Sequence, residues 1–205
     1  GLALTERRGT NGVVKLLAGQ RKLPVGEIEL RVDASHFPWP LDIAQEFLLA
    51  DQFRVRGVSV RNREAGVGAP LIAVGKLNPG LRMHRTLQPT VFFRLQGALA
   101  QVAAGKGSGS LELYPGYGKD TVSVDDRTIP LERDLTVAAA YTLNQSFVWK
   151  VERLQFFSPS AGLKSQLLLA EPYQPGRIPL VFVHGTFSSP VWWAEMINTL
   201  SGDPV

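Results

Sequence analysis

Ile28, Leu30 and Val32 alternate with Glu29 and Arg31, the period of two expected of a strand with one face in a core. Pro38-Trp39-Pro40 stops that pattern, and Asp42 beyond it is placed to cap a short helix carrying Ile43, Phe47 and Ala50 on one side. The period returns to two at Phe53 and Val55, which alternate with Arg54 and Arg56, and Val58 and Val60 carry it past Gly57. Leu71 to Val74 is a short apolar run. Val91, Phe93 and Leu95, then Leu111 and Leu113 about Glu112, then Val122 and Val124, then Ile129 and Leu131 each predict a strand. Asn78-Pro79-Gly80, Pro115-Gly116 and Asp125-Asp126-Arg127 are turn signals between them. Gly105 to Gly109 is predicted to be a flexible hairpin tip, because the spacing of a phosphate-binding loop is missing. Short strands at this spacing predict an antiparallel, sandwich-like β-rich domain over residues 51–134, preceded over 1–50 by a strand and a short helix.

A different pattern begins near residue 136. Val137, Ala140, Tyr141 and Asn144 recur at helical spacing, and Trp149, Arg153 and Phe156 follow on a second predicted helix, so 135–162 reads as a helical linker. Leu163 to Ala170 predicts a strand and Pro172 to Gly176 a turn. Leu180 to Val183 is continuously apolar, the pattern of a parallel strand buried on both faces. Ser188 or Ser189 offers an N-cap and Pro190 suits a first helical position, while Trp193, Met196, Ile197 and Leu200 mark one apolar helix face. Residues 163–205 thus read as buried strand, glycine loop and helix, and the whole chain as a mixed α/β fold.

Composition narrows the function classes. The 20 Gly and 14 Pro favour turns and short strands over long helices. With 44% hydrophobic and 20% charged residues the chain can build a core, which excludes a disordered tail. No apolar run approaches the roughly 18 residues of a membrane-spanning helix. The absence of cysteine removes disulfides, thiolate metal sites and a cysteine nucleophile. It does not fix the compartment, and cell envelope and cytoplasm both stay open. The net charge of +4 comes from scattered Lys and Arg, so no nucleic-acid partner is expected. His36, His84 and His184 are dispersed without ligand spacing, and neither a metal nor another cofactor is expected.

One stretch carries chemistry. Leu180-Val181-Phe182-Val183-His184-Gly185-Thr186-Phe187-Ser188-Ser189-Pro190, with the Trp-rich helix after it, resembles the α/β-hydrolase superfamily, in which an apolar strand ends in His-Gly and the following loop lends a backbone N–H to the oxyanion hole. More loosely, Leu49 to Gly57 and Gly66 to Leu71 resemble bacterial serine esterase- or lipase-like α/β-hydrolases with a β-rich domain ahead of the catalytic one. The resemblance implies that 163–205 holds the first strands and first helix of a hydrolase sheet. It places the Thr186 backbone N–H as an oxyanion donor, with His184, Gly185 and Phe187 shaping the loop. Such a donor stabilises the negative oxygen of a tetrahedral acyl intermediate in a dry site, and glycine lets the backbone come close to substrate. The substrate implied is a small-molecule ester or a lipid, and the intramolecular partner implied is the set of later hydrolase strands.

The family's nucleophile pattern, Gly-x-Ser-x-Gly, occurs nowhere in the 205 residues. Gly57-Val58-Ser59-Val60-Arg61 comes nearest, lacks the second glycine and precedes the oxyanion strand, against the family's order. The chain is therefore expected to be the N-terminal piece of a longer serine hydrolase, inactive by itself, with nucleophile, acid and base beyond Val205. The alternative is a non-catalytic β-sandwich binding module, envelope- or carbohydrate-associated, in which Trp39, Tyr114 and Tyr117 form a surface platform.

Overall fold

A computed structural model describes residues 5–7, 13–14, 16, 18–78, 83–118, 120–145, 175–176, 178–183 and 190–203. In chain order the first strands are β1 (Thr5–Arg7), β2 (Val13–Val14), β3 (Gly19–Leu23), β4 (Gly26–Asp33), β5 (Ala44–Leu49), β6 (Phe53–Val55) and β7 (Arg63–Glu64). Then come β8 (Ala69–Asn78), β9 (Met83–Leu87), β10 (Thr90–Gln96), the short helix α1 (Leu99–Ala103) and β11 (Gly107–Tyr114). The hairpin β12 (Thr121–Val124) and β13 (Arg127–Pro130), the short β14 (Arg133–Asp134), α2 (Val137–Gln145) and α3 (Ala194–Ser201) complete the series.

The fold is mostly β. Its centre is a curled eight-stranded sheet in the order β2-β5-β8-β10-β11-β4-β3, with β9 also paired to β8. The curl has a visible origin. Along one antiparallel register Leu87 faces Ala73, the Leu71 N–H donates to the Pro89 carbonyl at 2.7 Å, and Thr90 faces Pro70. β9 and β10 are thus one long arm interrupted at Gln88-Pro89, where proline has no N–H to offer the ladder. Before the break the arm pairs with β8; after it, β10 keeps β8 only at Thr90 and Val91 and pairs along its whole length with β11.

β8 shows why its apolar run is continuous. Leu71 and Ala73 pack with Phe37, Phe47 and Leu113 on one face, while Ile72 and Val74 pack with Leu48, Phe53, Val137 and Ala138 on the other. The second layer is supplied by α2, as its alanine-rich helical pattern predicts. The β12–β13 hairpin adds a third cluster, in which Tyr114, Val122 and Leu131 are buried. Its turn residues Asp125 and Asp126 both have positive φ, 48° and 59°, the conformation a tight two-residue hairpin requires and one that aspartate tolerates.

Several expectations are corrected. The sheet is mixed, because β4 and β11 run parallel from Gly107 opposite Ile28 to Glu112 opposite Asp33. The short helix expected after Asp42 is a 3-10 turn, Leu41–Ile43, followed by strand β5. There Phe47 and Leu48 serve opposite faces of the sheet, which a helix could not arrange, and Ile43 is exposed. The sheet therefore draws strands from both sides of position 50. Val58 and Val60 form no strand; Gly57 to Ser59 bends and Val60 is exposed. Of the segment expected as a flexible hairpin tip, Gly107 and Gly109 belong to β11, and Gly105, with φ 70°, sits in the turn between α1 and β11. A Cβ on Gly107 would collide with Val102 of α1, and one on Gly109 with the Phe93 ring and the Arg94 carbonyl.

The strand expected at Leu180 to Val183 is not formed. Leu180, Val181 and Val183 are 67%, 64% and 77% exposed, and no described strand lies beside them to supply a ladder. Apolar character alone does not make a strand; its main-chain groups need partners. The strand expected at 163–170 and the helix expected through Trp149, Arg153 and Phe156 lie outside the described residues.

Candidate functional site

The residues singled out for oxyanion chemistry, His184, Gly185, Thr186 and Phe187, lie outside the described residues. Their flanks are described. Before them runs Ile178 to Val183; after them a 3-10 turn, Pro190–Trp193, leads into α3. The flanks touch, with the Phe182 and Trp193 rings 5.5 Å apart between centroids.

α3 rests on the β-rich body with its polar side inward. Asn198 is buried; of the expected apolar face Met196 and Leu200 are 49% and 44% exposed and Trp193 and Ile197 half-buried, while the neighbouring Trp192 is 70% exposed. The Asn198 side-chain amide donates to the Val60 carbonyl at 2.8 Å, and its side-chain oxygen accepts from the Thr136 hydroxyl at 2.6 Å. Its main-chain carbonyl accepts from Asn62 Nδ2 at 2.6 Å. The Thr136 hydroxyl in turn accepts the Asn62 main-chain N–H at 2.8 Å, so both of its roles are filled. At the rim Glu195 accepts the Ser59 main-chain N–H at 3.1 Å and is bonded to the Ser59 hydroxyl. Ser59, which stands in the nearest sequence approach to a nucleophile pattern, is thus engaged with a helix carboxylate.

Beneath this joint Asp134 organises the body. Its Oδ1 accepts the N–H groups of Thr136 at 3.2 Å and Val137 at 2.9 Å, satisfying donors at the start of α2. Its Oδ2 accepts from Arg61, whose remaining donors reach the Phe53 carbonyl at 2.7 Å and the Ala50 carbonyl at 2.9 Å.

A second polar cluster lies between the sheet and the β12–β13 hairpin. Ser110, Glu112 and Tyr114 share one face of β11, since side chains two apart in a strand point the same way. Arg94 of β10 binds both Glu112 carboxylate oxygens, one at 3.0 Å, and also donates to the Ser123 carbonyl at 2.8 Å. The Tyr114 hydroxyl donates to Glu112 at 3.0 Å. The Arg94 guanidinium holds the Glu112 carboxyl below the usual carboxylate range against its burial, with help from the Tyr114 and Ser110 hydroxyls. Burial, then the neighbouring Glu112, pushes the Tyr114 phenol up to about 12. Nearby, burial raises the Asp120 carboxyl, opposed by the Gly116 N–H that donates to it at 3.1 Å.

Of the three aromatics named for a platform, Tyr114 does not reach the surface, whereas Trp39 and Tyr117 are half-buried side by side. Tyr114 is buried and its ring is covered by His36, stacked at 4.7 Å and 8°. Trp39 meets Tyr117 edge to face, at 5.6 Å and 82°, and Phe37 at 5.1 Å and 72°, so these rings pack on one another. His84 lies on β9, its Nδ1 donating to the Gly75 carbonyl at 2.8 Å. Among the described residues no three His, Asp or Glu side chains gather as a metal site requires, and no helix is long and apolar enough to cross a membrane.

No protein-family model matches the chain, and neither a curated protein nor a solved structure matches it.

Sequence reasoning missed Asn62, Thr136, Glu195 and Asn198. The pair Glu195 and Asn198, three residues apart, would share one side of a helix and could have flagged a polar contact. Nothing in the sequence pointed to the loop at Val60 to Asn62 that receives it.

Proposed function

We propose that the chain is the N-terminal part of a serine hydrolase acting on ester bonds, contributing the oxyanion loop and not the nucleophile, acid or base. The observation that supports this reading is the way α3 sits. Its polar edge is bonded to the β-rich body while Met196 and Leu200 of its apolar face stay exposed, near the exposed apolar run of Leu180 to Val183. A strand pattern and part of a helix stripe left open near one another are what the first strand and first helix of a separate α/β layer would offer to further strands. In that layer the Thr186 N–H would face the developing oxyanion, and the helix after it would add the positive end of its dipole.

Fluorophosphonate labelling tests the reading. The product of the whole coding sequence should label at a single serine within a Gly-x-Ser-x-Gly segment and hydrolyse short activated esters, and the 205-residue chain should do neither. Thr186→Ala keeps the N–H and should retain turnover within about tenfold. Thr186→Pro removes it and should cost about 10²–10³ in turnover with little change in KM, at matched circular dichroism and melting temperature. A folded Thr186→Pro enzyme with normal turnover, or a whole product that does not label, overturns the proposal.

A further inference from the structure

An amphipathic surface helix ordinarily buries its apolar stripe; α3 instead buries the polar Asn198 and leaves Met196 and Leu200 exposed, with Trp193 and Ile197 half-buried. Every polar group of Asn198 that faces the body has a partner: Val60 and Thr136 on its side-chain amide, Asn62 on its main-chain carbonyl. Asn62 and Thr136 are themselves linked, so the receiving groups hold one another in place. Among the described helices and strands α3 otherwise packs chiefly on the Pro190–Trp193 turn that precedes it, and Gly202 just beyond it sits against the Asn62 side chain.

Two physical consequences follow. Apolar packing is non-directional and tolerates small rotations, whereas hydrogen bonds are directional and a buried group left unpaired pays its full desolvation. A contact made of hydrogen bonds therefore has one seated orientation. A helix so held also shares little apolar surface with the sheet, and regions with few buried apolar contacts open locally before the core does.

We propose that the Val60 carbonyl, Asn62 and Thr136 form a latch that receives Asn198, sets the rotation of α3 with Met196 and Leu200 outward, and lets the helix undock as a unit while the sheet stays folded. The latch shares with the ester-hydrolase reading the observation of how α3 sits, but no reacting group takes part in it and its test reads exchange, not activity.

Amide hydrogen exchange on the 205-residue chain, read by mass spectrometry, tests it. Asn198→Ala should speed exchange within α3 about ten- to a hundredfold, the range set by unpairing buried hydrogen-bond partners. Amides of β8, β10 and β11 should keep their protection. Thr136→Val, which removes the hydroxyl at constant shape, should do the same, and the double variant should exchange no faster than the faster single, because both break one latch. Met196→Leu, on the exposed side of the helix, should leave α3 unchanged. Unchanged α3 exchange in Asn198→Ala overturns the latch. So does equal acceleration in α3 and the sheet, or an additive double variant.

Discussion

Replacing Asp134 by alanine removes the hinge pin of the body. The Asp134 side chain is fully buried and serves two structures at once, the start of α2 through Oδ1 and Arg61 through Oδ2. Loss of the cap alone costs about 1 kcal/mol. Removing one partner of a fully buried ion pair costs about 3–5 kcal/mol, because the other charge is stranded. Arg61 is 24% exposed and keeps the Phe53 and Ala50 carbonyls, so the low end or less applies to it. The sum is about 3–4 kcal/mol, and for a chain of this size a melting temperature lower by about 10 °C. The double variant Asp134→Ala with Arg61→Met leaves no stranded charge, so its loss should fall short of the sum of the singles by at least about 1 kcal/mol. Urea and thermal unfolding followed by circular dichroism measure all three. A loss below about 1 kcal/mol for Asp134→Ala, or strict additivity in the double variant, would refute the idea that a single buried charge ties Arg61 to α2.

Three more outcomes are expected. Because the folded Glu112 carboxyl is held below its ordinary value of 4.5, its contribution is present above that value and is lost as pH falls through the lower folded value. The stability gap between wild type and Glu112→Gln should therefore narrow as pH is lowered below 4.5, Asp120 having the opposite sign but cancelling in the difference; a gap independent of pH contradicts the ion pair with Arg94. In an ultraviolet titration one of the four tyrosines should ionise late, near 12, and Tyr114→Phe should abolish that late step; its persistence would assign the step to another ring. Gly26 and Gly19 both have positive φ, but a Cβ on Gly26 would overlap the Val102 carbonyl while Gly19 faces open space. Gly19→Ala should cost about 1 kcal/mol of backbone strain and Gly26→Ala clearly more, and equal melting temperatures would show that α1 yields easily.

Much of the strand content was determined by the sequence itself. Alternation marked β4, β10 and β11, and paired aspartates marked the β12–β13 turn, because a half-buried strand and a tight hairpin each impose a local rule on their own residues. The helix α2 was legible for the same reason. What tertiary structure alone decided is the pairing. Phe47 fits a helix stripe in isolation and becomes part of β5 only because Ala73 and Ile72 wait across the ladder with a layer on each face. Parallel pairing of β4 with β11 leaves no local mark, since the two strands lie far apart in the chain and either direction satisfies the same alternation. Leu180 to Val183 shows the converse. Its sequence specifies burial on both faces, yet with no described strand beside them Leu180, Val181 and Val183 are exposed, because a strand is stabilised by its partners and not by its own composition. The seat of Asn198 was equally hidden, since it joins residues more than sixty positions apart through bonds that only the folded backbone brings within reach.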